Sequence, residues 1–241
     1  TVTDPNGYAD LENVTARIFR SGVTSTYNCT IDDNNCYAAL CTLSSCSGNN
    51  CTASCSIEMQ YHADPTDTGT PWVSEYWLAR ITATDEALNS NSSTSSPDLV
   101  DVQSMLGFSA GAQLQFGETN YSQSPGTMDA SLQLQSYGNS SMDFQIYGAA
   151  LTYTTSSNTY TIPASSIRFA TSSGVTYSNG ITLTTSSAPL TLYTPLRKVT
   201  DQNTAVTTTV WFGLYPPAGL PRALYSGTVT ILGFLKSLPW P

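Results

Sequence analysis

Apolar and hydroxyl or amide residues alternate along much of this chain, and that period of two restricts the fold more than any other feature. In Met142–Tyr147 the order is Met, Asp, Phe, Gln, Ile, Tyr. Successive side chains of a strand point to opposite faces, so such a segment buries one face and wets the other. The same pattern predicts strands at Val14–Phe19, Ser56–Tyr61, Tyr76–Thr84, Ser131–Gln135, Leu151–Thr155, Ile181–Thr185, Thr207–Leu214 and Tyr225–Leu232. Turn formers separate them: Pro5-Asn6-Gly7, Ser124-Pro125-Gly126, Tyr137-Gly138-Asn139, Ser178-Asn179-Gly180 and Pro216-Pro217-Ala218-Gly219. Intervals of roughly 8 to 15 residues between turns suit β-sandwiches. Only Asp85–Leu88 has some helical character.

Hydroxyls take the place of charge as the solubilising groups. Only 10% of the 241 residues are charged, whereas 35 Thr and 32 Ser together make about 28%. With 40% apolar residues there is enough material for real cores, which excludes a disordered tail. No apolar run reaches the roughly 18 residues of a membrane helix, and the start at Thr1, without Met or a signal-like stretch, suggests a processed, soluble or surface-displayed product. Residues 1–100 carry three Arg against eight Asp and four Glu, a balance of −9, while residues 101–241 balance to zero. A surface with two lysines cannot supply the phosphate contacts that nucleic acid requires, so nucleic acid is not an expected partner.

Six cysteines, Cys29, Cys36, Cys41, Cys46, Cys51 and Cys55, fall within 27 residues and none lies elsewhere. Their spacing lacks the paired C-x2-C of a zinc site, and His62 is the one histidine, so disulfides and an oxidising compartment are expected. A nested pairing, Cys29 with Cys55, Cys36 with Cys51 and Cys41 with Cys46, is the simplest of fifteen for a stapled loop between two strands. Six N-x-S/T sequons, at Asn13, Asn28, Asn50, Asn91, Asn120 and Asn139, are candidate glycosylation sites, although a chain this rich in Asn, Ser and Thr generates some by chance. The hydroxyl-rich stretch from Asn89 to Pro97 reads as a linker or exposed loop and divides the chain into domains 1–97 and 98–241.

Catalytic chemistry finds little to work with. His62 lies at a predicted strand end with no G-x-S-x-G elbow to pair it with a serine, no two carboxylates stand out for glycoside hydrolysis, and no phosphate-cradling glycine loop occurs. The chain is therefore expected not to be an enzyme. Acidic loops are more suggestive: Asp4, Asn6, Asp10, Asp64, Asp67 and Asp85 place oxygen ligands at strand ends, as calcium prefers. The alternative is that these residues are turn formers bonding their own backbone. Trp72, beside Pro71, is the candidate platform for a sugar. The C-terminal segment, with Ile231, Leu232, Phe234, Leu235, Leu238 and Trp240, is apolar beyond what a free tail tolerates. It is either an ordinary last strand or a donor strand that completes the sheet of another copy, and contacts of the second kind propagate into filaments.

The runs Asp4-Pro5-Asn6-Gly7 with Asp10 and Val14, Met59 to Asp67, and Trp77-Leu78-Ala79 to Thr84-Asp85 resemble the immunoglobulin-like repeats of surface proteins from archaea and candidate-phylum bacteria. Phe116-Gly117, Gly138-Asn139 to Tyr147-Gly148, Val210 to Leu214 and Tyr225 to Val229 are similar to the module that accompanies them. The resemblance implies an all-β chain of two immunoglobulin-like sandwiches at the cell surface, with the disulfide-stapled loop in the first, and transfers no catalytic residue. The expected function is a structural subunit of a secreted or cell-surface filament or sheath, with copies of itself as partners. The alternative is an adhesin or carbohydrate-binding module with cell-surface glycans as partners.

Overall fold

The computed structural model describes residues 1–23, 28–94, 100–120 and 126–240, with Tyr193 described by its backbone alone. The predicted turn residues Ser124-Pro125, the Ser95–Pro97 end of the predicted linker and Pro241 lie outside these. The protein is all-β, with 44% of its residues in strands and 5% in short helical turns. No helix is long and apolar enough to cross a membrane. Two compact units emerge: Thr1–Met105 with Thr200–Thr204, and Leu106–Val199 with Ala205–Pro241. The division therefore does not fall at residue 97. Val102 packs against Tyr37, Ala63 and Trp77, which carries the first unit past the expected boundary.

In the first unit, β1 (Val2–Thr3), β4 (Thr42–Ser47) and β5 (Asn50–Ser54) form one antiparallel sheet in the order β1-β5-β4. A second sheet has the order β3-β2-β6-β7, from β2 (Leu11–Arg20), β3 (Cys36–Leu40), β6 (Trp77–Asp85) and β7 (Ser90–Thr94). In this sheet Phe19 is opposite both Cys36 and Leu78, while Ile18 is opposite Tyr37 and Ala79. Alternation thus sends Phe19, Cys36 and Leu78 to one small core and Ile18, Tyr37 and Trp77 to another on the opposite face. β7 occupies most of the predicted linker, because its polar residues serve an edge strand as well as they serve a loop.

The disulfides differ from the nested expectation: Cys29 pairs with Cys36, Cys41 with Cys55 and Cys46 with Cys51. The segment between them is a β-hairpin, not a loop, and its register explains two of the pairs. Thr42 is opposite Ser54 and Ser47 opposite Asn50, so Cys41 meets Cys55 at one end and Cys46 meets Cys51 near the turn. Ser56–Tyr61 forms no strand; its alternation comes from an irregular segment whose Ile57 packs into the core.

The second unit contains β8 (Phe108–Ala110), β9 (Ala130–Ser136), β10 (Met142–Gly148), β11 (Leu151–Thr154), β12 (Thr159–Ile162), β13 (Ile167–Ala170), β14 (Ile181–Thr182), β15 (Leu190–Leu196), β16 (Thr207–Leu214) and β17 (Val229–Leu235). Its sheets have the orders β14-β13-β16-β9-β8 and β15-β10-β17, with β11 and β12 as a separate hairpin. Both larger sheets contribute to one core: Leu132, Leu134, Ile167, Phe169, Val210 and Phe212 from the first, and Met142, Phe144, Ile146, Leu192 and Leu196 from the second. Phe144, Ile146, Ile167 and Phe169 are fully buried. At about 1.5–3 kcal/mol for each fully buried large apolar side chain, this core is the main source of the unit's stability.

Candidate functional site

Among the six residues expected to share a cation, the fold assembles three carboxylates. Asp4 opens a turn in which its Oδ1 accepts the Asn6 N–H at 2.8 Å, and Gly7, at φ +109°, supplies a backbone conformation that side-chain-bearing residues avoid. This turn brings Asn6 back over Asp10, whose Oδ2 accepts the Asn6 Nδ2 at 3.1 Å. Asp85 ends β6 opposite Leu11, the residue after Asp10, and the Glu86 N–H donates to the Asp10 carbonyl at 2.9 Å. One carboxylate oxygen from each of Asp4, Asp10 and Asp85 consequently lies within 4.8 Å of the others, all three residues half-buried. An oxygen-only set of this kind has the hard-ligand character that calcium prefers. The turn-former alternative is visible in the same residues, since Asp85 also accepts the backbone and side-chain N–H groups of Asn89 at 2.8 and 3.0 Å. Chiefly through the Asn89 side chain, its carboxyl is held below the ordinary value of 3.8.

Asp64 and Asp67 belong elsewhere, which corrects the six-residue site. Asp64 is buried and accepts Arg20 Nε at 3.1 Å and Asn34 Nδ2 at 3.0 Å, while Asp67 accepts the Ser104 hydroxyl at 2.6 Å. Arg20 also pairs with Glu75, and its guanidinium lies 5.0 Å from the centre of the Trp72 ring. The proposed sugar platform thus has a cation over its ring, held by two carboxylates. Arg20 was not singled out by the sequence, because no local motif announces a partner 44 residues away.

The lone histidine is a packing residue of the first unit. His62 is 1% exposed and lies edge-on to the Tyr61 ring. It also lines a polar cavity of about 310 Å³ with Asp32, Asp33 and Thr200–Asn203. Asp201 there is held below the ordinary carboxylate value, first by the Asn203 backbone N–H and then by the Thr204 hydroxyl.

The sequons separate by exposure. Asn28, Asn50, Asn91 and Asn120 are exposed, Asn13 is half-buried within β2, and Asn139 is 2% exposed between buried neighbours. Asn139 is therefore removed from the candidates: its Oδ1 accepts the Ser140 hydroxyl, and a glycan there has no room.

The apolar C-terminal segment forms β17, which pairs with β10 of its own chain along all seven residues. Val229 and Ile231 pack into the core, whereas Leu232 and Phe234 face outward at 46% and 38% exposure. Leu238 is exposed, and Trp240 donates its Nε1–H to the Lys236 carbonyl at 3.0 Å. On its other side β17 pairs with no described strand. No protein family, curated protein or solved structure matches this chain.

Proposed function

We propose that the chain is a structural subunit of an extracellular surface assembly, a filament or sheath, built from two immunoglobulin-like β-sandwich domains and joined by strand addition between copies. The observation that carries this reading is the edge strand β17. It is seven residues long, has neither charge nor proline, and shows Leu232 and Phe234 on its outer face. Proteins usually blunt such an edge with short strands, proline or polar residues. The other sheet edges of the second unit are shorter or interrupted: β14 has two residues, β8 has three, β11 and β12 have four each, and β15 contains Pro195. In the first unit β7 is Ser-Asn-Ser-Ser-Thr. An open edge offers backbone donors and acceptors to an extended strand, and its alternate side chains add the apolar contacts. Three disulfides and a hydroxyl-rich surface suit an exposed, durable polymer.

The test compares the purified chain with Leu232→Lys/Phe234→Lys, which leaves the β10–β17 pairing and the inward face intact. Deleting residues 231–241 is a poorer control, since it removes a strand from the core sheet. Electron microscopy and sedimentation velocity are expected to show polymers of the parent and monomers of a variant that still unfolds cooperatively. Monomers of both would remove the reading.

A further inference from the structure

The edge of β7 leads to a modification site. Among the described residues β7 pairs with β6 alone, and Ser90, Asn91, Ser92 and Ser93 are all exposed. Directly opposite residues of an antiparallel pair point to the same face. In this sheet Asn91 is opposite Ala83, itself opposite Val14, and Ser93 is opposite Ile81, itself opposite Ala16. Along these two rows burial fades toward the edge. Val14 and Ala16 are 1% and 6% exposed, Ala83 is half-buried, and Ile81 is 40% exposed. The sheet thus ends on an apolar shelf with a sequon, Asn91-Ser92-Ser93, at its rim.

We infer that Asn91 carries an N-linked glycan whose first sugar lies over Ala83 and Ile81 and closes the β7 edge. The Asn91 Oδ1 accepts the Ser92 N–H at 2.8 Å, and among the described residues its Nδ2 has no hydrogen-bond partner. Nδ2 is the atom the modification uses. A lipid-linked oligosaccharide is the donor: the C1–Nδ2 bond forms, the bond from C1 to the carrier's phosphate oxygen breaks, the carrier leaves as its phosphate, and the amide gives up one proton. The disulfides record passage through an oxidising compartment, where such transfer takes place. Asn28 accepts a hydrogen bond from Arg17, and Asn50 accepts one from the Thr3 hydroxyl. A glycan at Asn91 also disables the one polar edge strand of this sheet for pairing.

The experiment takes the full chain recovered from its own cells, digests it with a protease of broad specificity, and sequences the peptides by electron-transfer fragmentation, which keeps side-chain modifications attached. A hexose- or hexosamine-containing adduct on Asn91, and an unmodified Asn139, is the expected result. Asn91→Gln then lowers the intact mass by one whole glycan while the secreted protein keeps its three disulfides. An unmodified Asn91, or an adduct on Asn139, would overturn the inference. Polymerisation plays no part in either readout, so the assembly reading stands or falls separately.

Discussion

Arg20 Nε and Asp64 Oδ2 lie 3.1 Å apart with side chains 11% and 2% exposed, an ion pair largely enclosed by the first unit. Two charges so far from water hold each other at a desolvation cost that only good geometry offsets. Removing Arg20 leaves the buried Asp64 without its guanidinium, whereas Arg20 keeps Glu75 when Asp64 is removed. Arg20→Ala is expected to cost roughly 3–5 kcal/mol and Asp64→Ala less, both read from the denaturant midpoint at unchanged slope. Arg20→Ala/Asp64→Ala is expected to cost clearly less than the sum of the single changes; additive losses would show that the pair does not couple.

The three disulfides close loops of different length, and this orders their contributions. Cys41–Cys55 spans 14 residues, Cys29–Cys36 seven and Cys46–Cys51 five. Chain entropy then assigns about 3 kcal/mol to the first and about 2 kcal/mol to each of the others. Paired serine substitutions should therefore lower the thermal midpoint most for Cys41–Cys55. Partial reduction with peptide mapping checks the pairing directly, and recovery of a Cys29–Cys55 peptide would restore the nested arrangement.

Asp85 gives a pH signature at the acidic cluster. Its depressed carboxyl stabilises the folded state above the ordinary value of 3.8, and that contribution is lost as pH falls through the lower folded value. Carboxyl carbon chemical shifts are expected to place Asp85 below the ordinary value of 3.8. Asn89→Ala, which removes the largest cause of the shift, should bring it back up; no movement would mean that the side-chain hydrogen bond is not formed in solution.

Segments whose alternation is set by one deep core were legible in the sequence. Met142–Tyr147 and Thr207–Leu214 lie in β10 and β16, because Phe144, Ile146, Val210 and Phe212 all face the same interior. The last strand was read four residues early. Tyr225 packs against that core from outside the sheet, so the apolar pattern begins before the backbone pairing does. The hairpin of β4 and β5 was hidden for another reason: Leu43 is its one large apolar side chain, so no buried face marks the two strands, and cystines tie them together at both ends. In the acidic set, Asp4, Asn6 and Asp10 could be grouped from spacing alone, and Asp85 joins them through the β2–β6 register. Asp64 looked equivalent in sequence and is not, since a buried guanidinium claims it.

Tyr37 supplies an alkaline test of the first unit. Burial pushes its phenol up to about 12 from the ordinary 10.0, assisted by the nearby negative charges of Asp33, Asp32 and Asp64, while the hydroxyl donates to the Asp33 carbonyl at 2.7 Å. The folded chain thus holds this proton more tightly than the unfolded chain. Its contribution to stability is complete below the unfolded value near 10 and is lost as pH rises toward 12. Chemical denaturation across that interval should show a falling midpoint for the parent and a flatter profile for Tyr37→Phe. The same substitution at neutral pH costs about 1 kcal/mol, the ordinary net worth of one buried hydrogen bond. Equal slopes for the two proteins between pH 10 and 12 would place the Tyr37 hydroxyl in water rather than in the small core formed with Ala63 and Trp77.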